Sequence, residues 1–252
     1  MKSSRDVNLE YYLKKSPGRA DYWRKMAAPR FRMTVFLDLM KFTAPSALVD
    51  LGCGNGELLK EVRVEHPKTR LCGIDLSSMF IESNRHRDPS IDWHTLDLDR
   101  ERNVPRHLAE SFDIVMASEI IEHLEHPDIF LKNAKTLARI GGGMLFLSTQ
   151  SGRVWETEKR VGHRRHFSAA EMEKLLSQAG WSPIRVWNAG FPFHDLSKWF
   201  ANINPQMTMN AFSNRPYTLV QNIICMVLRL AYKFNSNKSG AQLFAIAERK
   251  QV

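Results

Sequence analysis

Cysteine is scarce in this chain. Among 252 residues there are three, Cys53, Cys72 and Cys225, widely separated and with no Cys-x-x-Cys pair. This excludes a thiolate zinc site and gives no support to a disulfide framework, so a reducing, cytosolic setting is expected. Long apolar runs are also missing. The opening stretch MKSSRDVNLEYYLKK has no signal-peptide core. The most apolar late stretch, residues 217–234, is interrupted by Gln221, Asn222, Arg229 and Lys233. Its unbroken apolar part, residues 223–228, is too short to span a bilayer. The stretch reads as a packed core or dimer helix, or as a helix lying on a membrane surface, because cations flank an apolar face. Acid is in deficit: 27 Asp and Glu stand against 36 Lys and Arg, a net charge of +9. That excess favours anionic partners, whether nucleic acid, phosphorylated metabolites or a lipid surface.

What is present is alternation. From about residue 47, short β-rich runs (ALVDL, RLCGID, IDWHTL, FDIVMAS, MLFLST) alternate with helical patterns such as GELLKEVRVEH and PDIFLKNAKTLARI. This spacing predicts a parallel, doubly wound α/β sheet. Residues 20–42 read as an amphipathic helix kinked near Pro29. SAAEMEKLLSQAGW carries a capping box, Ser168 with Glu171, and a stop at Gly180. SPIRVWNA and GAQLFAIAER supply two more strands, and residues 190–236 between them break the alternation. The expected layout is an N-terminal helical cap or lid over 1–44, a core over 45–189 and 237–252, and a helical, aromatic insertion over 190–236 on the acceptor side.

One stretch concentrates the chemistry. VDLGCGNGE places Gly52, Gly54 and Gly56 directly after a strand and at the start of a helix, with Asp50 two residues before the first glycine. Glycine permits positive φ and close approach of the backbone to a ligand. No Lys-Ser/Thr follows, which excludes a P-loop, and a nicotinamide site would need a longer glycine spacing. Asp75 ends the second strand, where a carboxylate can accept two hydrogen bonds from a ribose diol. Asp97 follows the third strand.

This ordered set resembles the class I S-adenosylmethionine-dependent methyltransferases: VDLGCGNGE is similar to their first motif, GIDLS to the second, LDLD to the adenine-side motif, and FDIVMASEIIEHL to the strand and turn after it. The resemblance covers roughly residues 45–185. RIGGGM departs from it in a turn, where relatives usually carry a proline before the glycine pair. The resemblance implies a Rossmann-like seven-stranded sheet with a reversed final hairpin, the last strand antiparallel. It implies S-adenosyl-L-methionine as cofactor and S-adenosyl-L-homocysteine as product. Gly52, Cys53 and Gly54 would pass under the methionine part, with Asp50 ordering the loop. Asp75, followed by Leu76, would hold the ribose hydroxyls, and Met79 would pack on the adenine face. Asp97 and the Leu98 amide would read the adenine edge, and Ser118 would offer backbone near the methionine amine. Arg32 would hold the cofactor carboxylate, a task suited to a bidentate guanidinium.

Two clusters could serve the methyl acceptor: Glu119, Glu122 and His123 after the fourth strand, and His163 and His166 after the fifth. A neutral imidazole can take a hydroxyl proton. Nearby Lys159, Arg160, Arg164 and Arg165 could hold an anionic acceptor. The stretches E-x-x-E-H-L and G-H-x-R-x-F-S resemble those of glycan- and natural-product-modifying O-methyltransferases, which implies a His general base, without metal, acting on a small molecule. Alternatively, Glu119, Glu122, His123 and a loop histidine resemble the divalent-metal site of small-RNA 2′-O-methyltransferases, with manganese or magnesium. The absence of an RNA-binding module or basic–aromatic stripe favours the first reading. The Asn-Pro-Pro-Tyr motif of amino-methylating nucleic-acid enzymes and the Pro-Cys nucleophile of cytosine methylation are absent. Phe191, Phe193, Trp199 and Phe200 could line an acceptor pocket or cover the sheet, with His194 and Asp195 among them. Tyr11, Tyr12, Tyr22 and Trp23 suggest a lid. A non-catalytic cofactor-binding partner is the alternative of another class. Monomer and homodimer both fit, residues 217–234 being the candidate interface.

Overall fold

The structure, a computed structural model, describes residues 20–100, 104–212 and 216–250. Tyr11 and Tyr12 of the expected lid lie outside these residues. Two helices lead in, α1 (Ala20–Lys25) and α2 (Ala27–Met40). Then β1 (Ala47–Leu51), α3 (Glu57–Glu65), β2 (Arg70–Asp75), α4 (Ser78–Arg87), β3 (Asp92–Thr95), β4 (Ile114–Ser118), α5 (Pro127–Leu137) and β5 (Met144–Gln150) alternate. A short helix α6 (Glu156–Arg160) precedes α7 (Ala169–Gln178) and β6 (Trp181–Ala189). Three helices, α8 (Phe193–Ala201), α9 (Pro205–Ala211) and α10 (Leu219–Tyr232), separate β6 from β7 (Gln242–Arg249).

The seven strands form one sheet in the order β3-β2-β1-β4-β5-β7-β6. β1 to β5 are parallel, while β7 runs antiparallel to both β5 and β6. β1 is buried at all five positions. A strand covered on both faces reads as a continuous apolar run rather than an alternating one. Two cores lie on the two faces. One holds Phe112, Phe130, Leu137 and Trp181, and the other holds Phe36, Leu59, Trp93 and Phe146. Trp181 is fully buried, and its indole nitrogen donates to the Leu131 carbonyl at 3.0 Å. The α7 capping box forms as expected: the Glu171 amide donates to Ser168 Oγ at 3.2 Å, and the Ser168 amide donates to Glu171 Oε2 at 2.8 Å.

Two expectations are corrected. The break in the N-terminal helix falls at Met26, which is extended (φ −63°, ψ 139°), and not at Pro29. Pro29 occupies the first turn of α2, where a missing N–H has no intrahelical partner to lose. The helix within 217–234 is not a packed core helix either: of α10 only Cys225 and Tyr232 are buried. Among the described residues no helix is long and apolar enough to cross a membrane.

The carboxyl ends of β1, β2, β4 and β5 share one rim. Because β7 is reversed, its first residue, Gln242, joins that rim opposite Gln150. In sheets of this kind, ligands bind at such a rim.

Candidate active site

A cavity of about 380 Å³ opens at this rim. Its first half is built by the turn after β1. The Gly52 and Cys53 amides both donate to the Ile74 carbonyl, at 2.8 and 3.1 Å, which folds the loop back over β2. Gly52 has φ of 73°, and a Cβ there would meet Ile120 Cδ1 at 2.7 Å. Gly54 has φ of 50°, and a Cβ there would have nothing within 4 Å. Gly52 thus lets Ile120 pack against the loop, while Gly54 leaves open space above the backbone, a cradle that a ligand can enter closely. Asp75 stands beside it. Its Oδ2 accepts from the Gly54 amide at 2.9 Å and its Oδ1 from the Ser77 amide at 2.8 Å. A carboxylate oxygen has two lone pairs, so each retains one for a further donor. Burial pushes the Asp75 carboxyl up, against the pull of these backbone donors. The Asp50 carboxyl, buried beneath the loop, is pushed up to about 8 by burial and by the charge of Asp75.

The floor continues through Leu76, Asp97, Leu98, Asp99 and Ser118, all of which line the cavity. Asp97 pairs with Arg100 at 2.9 Å. Asp99 accepts from the Glu125 and His126 amides at 2.9 and 2.7 Å, tying this edge to the turn after β4. Arg32 reaches in from α2. It is 5% exposed, its Nη1 lies 3.8 Å from Glu119 Oε2, and its buried Nε has no hydrogen-bond partner. Tyr22 and Trp23 of α1 complete the wall.

Several expected residues do not line the cavity. Cys53 packs its thiol into the core beside Trp93. All three cysteines are buried and none is in a disulfide. Met79 is absent from the lining, where the next residue, Phe80, is found with Leu96; α4 turns Phe80, not Met79, toward the cavity. Glu122 and His166 sit behind the wall.

The second half is a buried polar network. Glu119, immediately after β4, has φ of 54°, uncommon for a residue with a side chain. Its Oε2 accepts from Gln150 at 2.6 Å and its Oε1 from Gln242 at 3.0 Å. Burial alone would raise its pKa, but Arg32 and these donors hold it well below the usual carboxylate range. Glu122 is fully buried and accepts from Thr149 Oγ1 at 2.7 Å, with its Oε1 unpartnered. Burial, reinforced by Glu119, pushes its carboxyl well up. The two carboxyls are thus pushed apart, Glu119 toward the ionised form and Glu122 toward the protonated one.

Three imidazoles stand edge to face beside this pair. The ring centroids of His123 and His163 lie 4.6 Å apart, and those of His163 and His166 5.3 Å apart. His163 Nδ1 and His166 Nε2 are 3.1 Å apart, and His166 Nε2 is 3.5 Å from Glu158 Oε2. Burial brings His123 down to about 4, and burial with the neighbouring His123 brings His163 down to about 2. His123 bonds the Gly162 backbone, while its Nδ1 has no hydrogen-bond partner. Two sets of three could hold a metal ion, Glu122–His123–His163 and Glu158–His163–His166, each with ligand atoms within 4.8 Å of one another. Glu119, expected among the metal ligands, belongs to neither set and is committed to Gln150, Gln242 and Arg32.

The cations expected to hold an anionic acceptor do not face the cavity. Arg160 pairs with Glu156 and Arg164 with Glu125, and neither these nor Lys159 and Arg165 are in its lining. Lys198 of α8 lines it instead, bonded to Glu158 at 2.7 Å and Gln150 at 2.8 Å. Nor do Phe191, Phe193, Trp199 and Phe200 line it: α8 turns His194 and Lys198 inward, leaving Phe191, Trp199 and Phe200 exposed. Gln150, Glu158, Lys198 and Gln242 were not singled out in the sequence. The legible signal was a polar ending, Ser148-Thr149-Gln150, on an otherwise apolar strand.

Comparison with known proteins agrees with this geometry. The family model described as "Methyltransferase domain" matches residues 22–186. The mitochondrial ubiquinone biosynthesis O-methyltransferase of Candida albicans is 34% identical over 107 residues, 40% of this chain and 32% of that protein. The malonyl-[acyl-carrier protein] O-methyltransferase of Anoxybacillus flavithermus is 27% identical over 198 residues, 77% of this chain and 69% of that one. The match thus spans only about a third of the Candida enzyme. In fold, the chain superimposes on Haemonchus contortus phosphoethanolamine N-methyltransferase 2 in complex with S-adenosyl-L-methionine, with a TM-score of 0.65 and 15% identity, covering all of this chain and 61% of that one. Sheet order, glycine cradle and family match define a class I S-adenosylmethionine-dependent methyltransferase. The chain belongs to the methyltransferase-domain family.

Proposed function

We propose that the chain methylates a hydroxyl of a polar small molecule, with His123 as general base. One observation carries this reading: a neutral, cavity-lining imidazole whose Nδ1 has no partner sits within the wall that also holds Glu119 and Ser118. Bound S-adenosylmethionine supplies a methyl group already activated on a sulfonium. The chain has to hold the acceptor oxygen in line and remove its proton. His123 bonds Gly162, and the bond raises its basicity, which fits an imidazole N–H donating to the carbonyl and leaves Nδ1 as the accepting atom. The ionised Glu119 favours the imidazolium that forms. His163, itself in the cavity lining, meets His123 edge to face and orients it, and His166 backs His163. On the donor side, Gly52, Cys53 and Gly54 pass under the methionine part and Asp50 orders their loop. Asp75 holds the ribose hydroxyls, Asp97 and the Leu98 amide meet the adenine, and Arg32 meets the carboxylate. Arg32 and Lys198 are the cations lining the cavity, and each is already beside a glutamate. The site therefore suits a polar acceptor better than a strongly anionic one.

A second reading has its own observation. The Glu122–His123–His163 set could hold a divalent ion, which would turn the protonated Glu122 into a ligand and occupy His123. Incubation with methyl-labelled S-adenosylmethionine, against host metabolites and glycans and against short RNAs, with manganese and with EDTA, separates the two. Label in a small molecule, indifferent to EDTA, supports the base. Label lost with EDTA supports the metal, and label confined to RNA overturns the small-molecule reading. His123→Gln with normal S-adenosylhomocysteine binding should lose about 10²–10⁴-fold in rate; full activity removes His123 as the base.

A further inference from the structure

α10 is inside out. Apart from Arg229, its exposed positions are apolar: Leu219 is 76% exposed and Val220 66%, with Ile223, Val227 and Leu230 also open and Phe234 following. Its uncharged polar residues, Gln221 and Asn222, are half-buried and satisfied locally. The Gln221 amide donates to Thr218 Oγ1 in the helix cap, and Asn222 donates to the Tyr217 carbonyl. The helix is nevertheless firmly seated on the protein. Tyr232 meets Ser197 Oγ at 2.5 Å and stands edge-on to Phe31, whose ring centroid is 6.0 Å away. Neighbouring α8 turns Leu196, Trp199 and Phe200 outward as well. Isolated apolar residues on a surface are ordinary, but a contiguous patch on two adjoining helices marks an interaction surface.

Charge identifies the partner. Residues 191–239 contain one acid, Asp195. Its carboxylate is committed to His194 at 3.1 Å and to the Ala241 amide at 2.9 Å. Arg229, Lys233 and Lys238 are exposed. A second copy of the chain docked face to face would set these cations against their own counterparts, with no exposed acid in this segment to pair them. An apolar helix face with flanking cations and an outward tryptophan matches instead the requirements of a lipid headgroup boundary.

We propose that α8 and α10 form a docking surface for an anionic lipid bilayer. α10 lies along the interface with its apolar residues in the acyl boundary, and Arg229, Lys233 and Lys238 meet lipid phosphates. The inner side of α8 supplies His194 and Lys198 to the cavity, so the docked surface lies one helix away from the acceptor end. The inference is independent of the acceptor's identity and of the base.

Co-sedimentation of the full chain with vesicles tests it, using pure phosphatidylcholine and phosphatidylcholine mixed with phosphatidylglycerol. Binding should require the anionic lipid and weaken as salt rises. The pair Val220→Ser and Ile223→Ser should lower partitioning by about tenfold or more. Arg229→Gln with Lys233→Gln should abolish the preference for phosphatidylglycerol. Both positions are exposed, so unchanged circular dichroism and melting will verify the fold of each variant. No sedimentation with either vesicle overturns the proposal, as does equal binding to both. A concentration-dependent dimer without vesicle binding, dissolved by the serine pair, would assign the face to a second copy instead.

Discussion

Two carboxyls and one imidazole carry the residue-scale tests. If Asp75 holds the ribose diol, Asp75→Ala removes two hydrogen bonds to a carboxylate, each worth about 1.5–3 kcal/mol. Titration calorimetry with S-adenosylhomocysteine should then show affinity lower by about two to four orders of magnitude; unchanged affinity would refute the role. Asp50 is tested through stability. Its folded pKa, about 8, lies above the unfolded value, so its contribution is fully present at low pH and is lost as pH rises from the ordinary carboxylate range through about 8. Asn is close in shape and never ionises. Asp50→Asn should therefore gain on the parent by roughly 2–3 kcal/mol between pH 6 and pH 9 in denaturant melts. A gap that does not widen with pH would mean the carboxyl is ordinary. For His123 the sign is opposite. The folded pKa is near 4, below the unfolded 6.5, so the ring stays neutral through physiological pH. kcat/KM should not fall with an apparent pKa near 6.5 on acidification. Ring-nitrogen shifts of His123 should remain those of a neutral imidazole at pH 5.5.

At the scale of elements, the alternation of β-rich and helical runs located all seven strands, because each strand carries its own β-rich, mostly apolar run. Local chemistry was equally legible. Ser168 and Glu171 cap α7, and Ser168→Ala should cost about 1 kcal/mol by thermal melting with activity intact. What failed was the assignment of faces. Phe191, Trp199 and Phe200 were candidate pocket residues, and 217–234 a candidate core helix, because periodicity tells which residues share a face but not what covers it. The arginines of GHRRHFS misled in the same way: they flank two inward histidines yet point outward to Glu125 and solvent. The Glu119 network was out of reach for another reason. Gln242 joins Gln150 from 92 residues away, and only the reversal of β7 brings them together. The site was read where its residues are adjacent in sequence, as in VDLGCGNGE, and missed where topology assembles it.

For the molecule as a whole, the two halves of the cavity belong to different parts of the chain, and occupancy should couple them. α1 contributes Tyr22 and Trp23 to the wall, and Arg24 reaches Glu57 of α3 at 3.2 Å. α1 is six residues long and separated from α2 by the extended Met26. A short helix held mainly by its contacts opens at low cost. S-adenosylhomocysteine binding under Tyr22 and Trp23 raises that cost by RT ln(1 + [L]/Kd), about 2.7 kcal/mol at a hundredfold excess over Kd. Arg24 and Lys25 are the trypsin sites in this helix. Where opening is fast relative to cleavage, the cutting rate follows the open population. Saturating S-adenosylhomocysteine should therefore slow cleavage after Arg24 and Lys25 by about tenfold or more, while cleavage at the distant Lys238, outside the cavity wall, serves as the control. Slowing at both sites alike would indicate global stabilisation. Slowing at neither would mean that α1 makes no contact with the bound cofactor, and would count against the expected N-terminal lid.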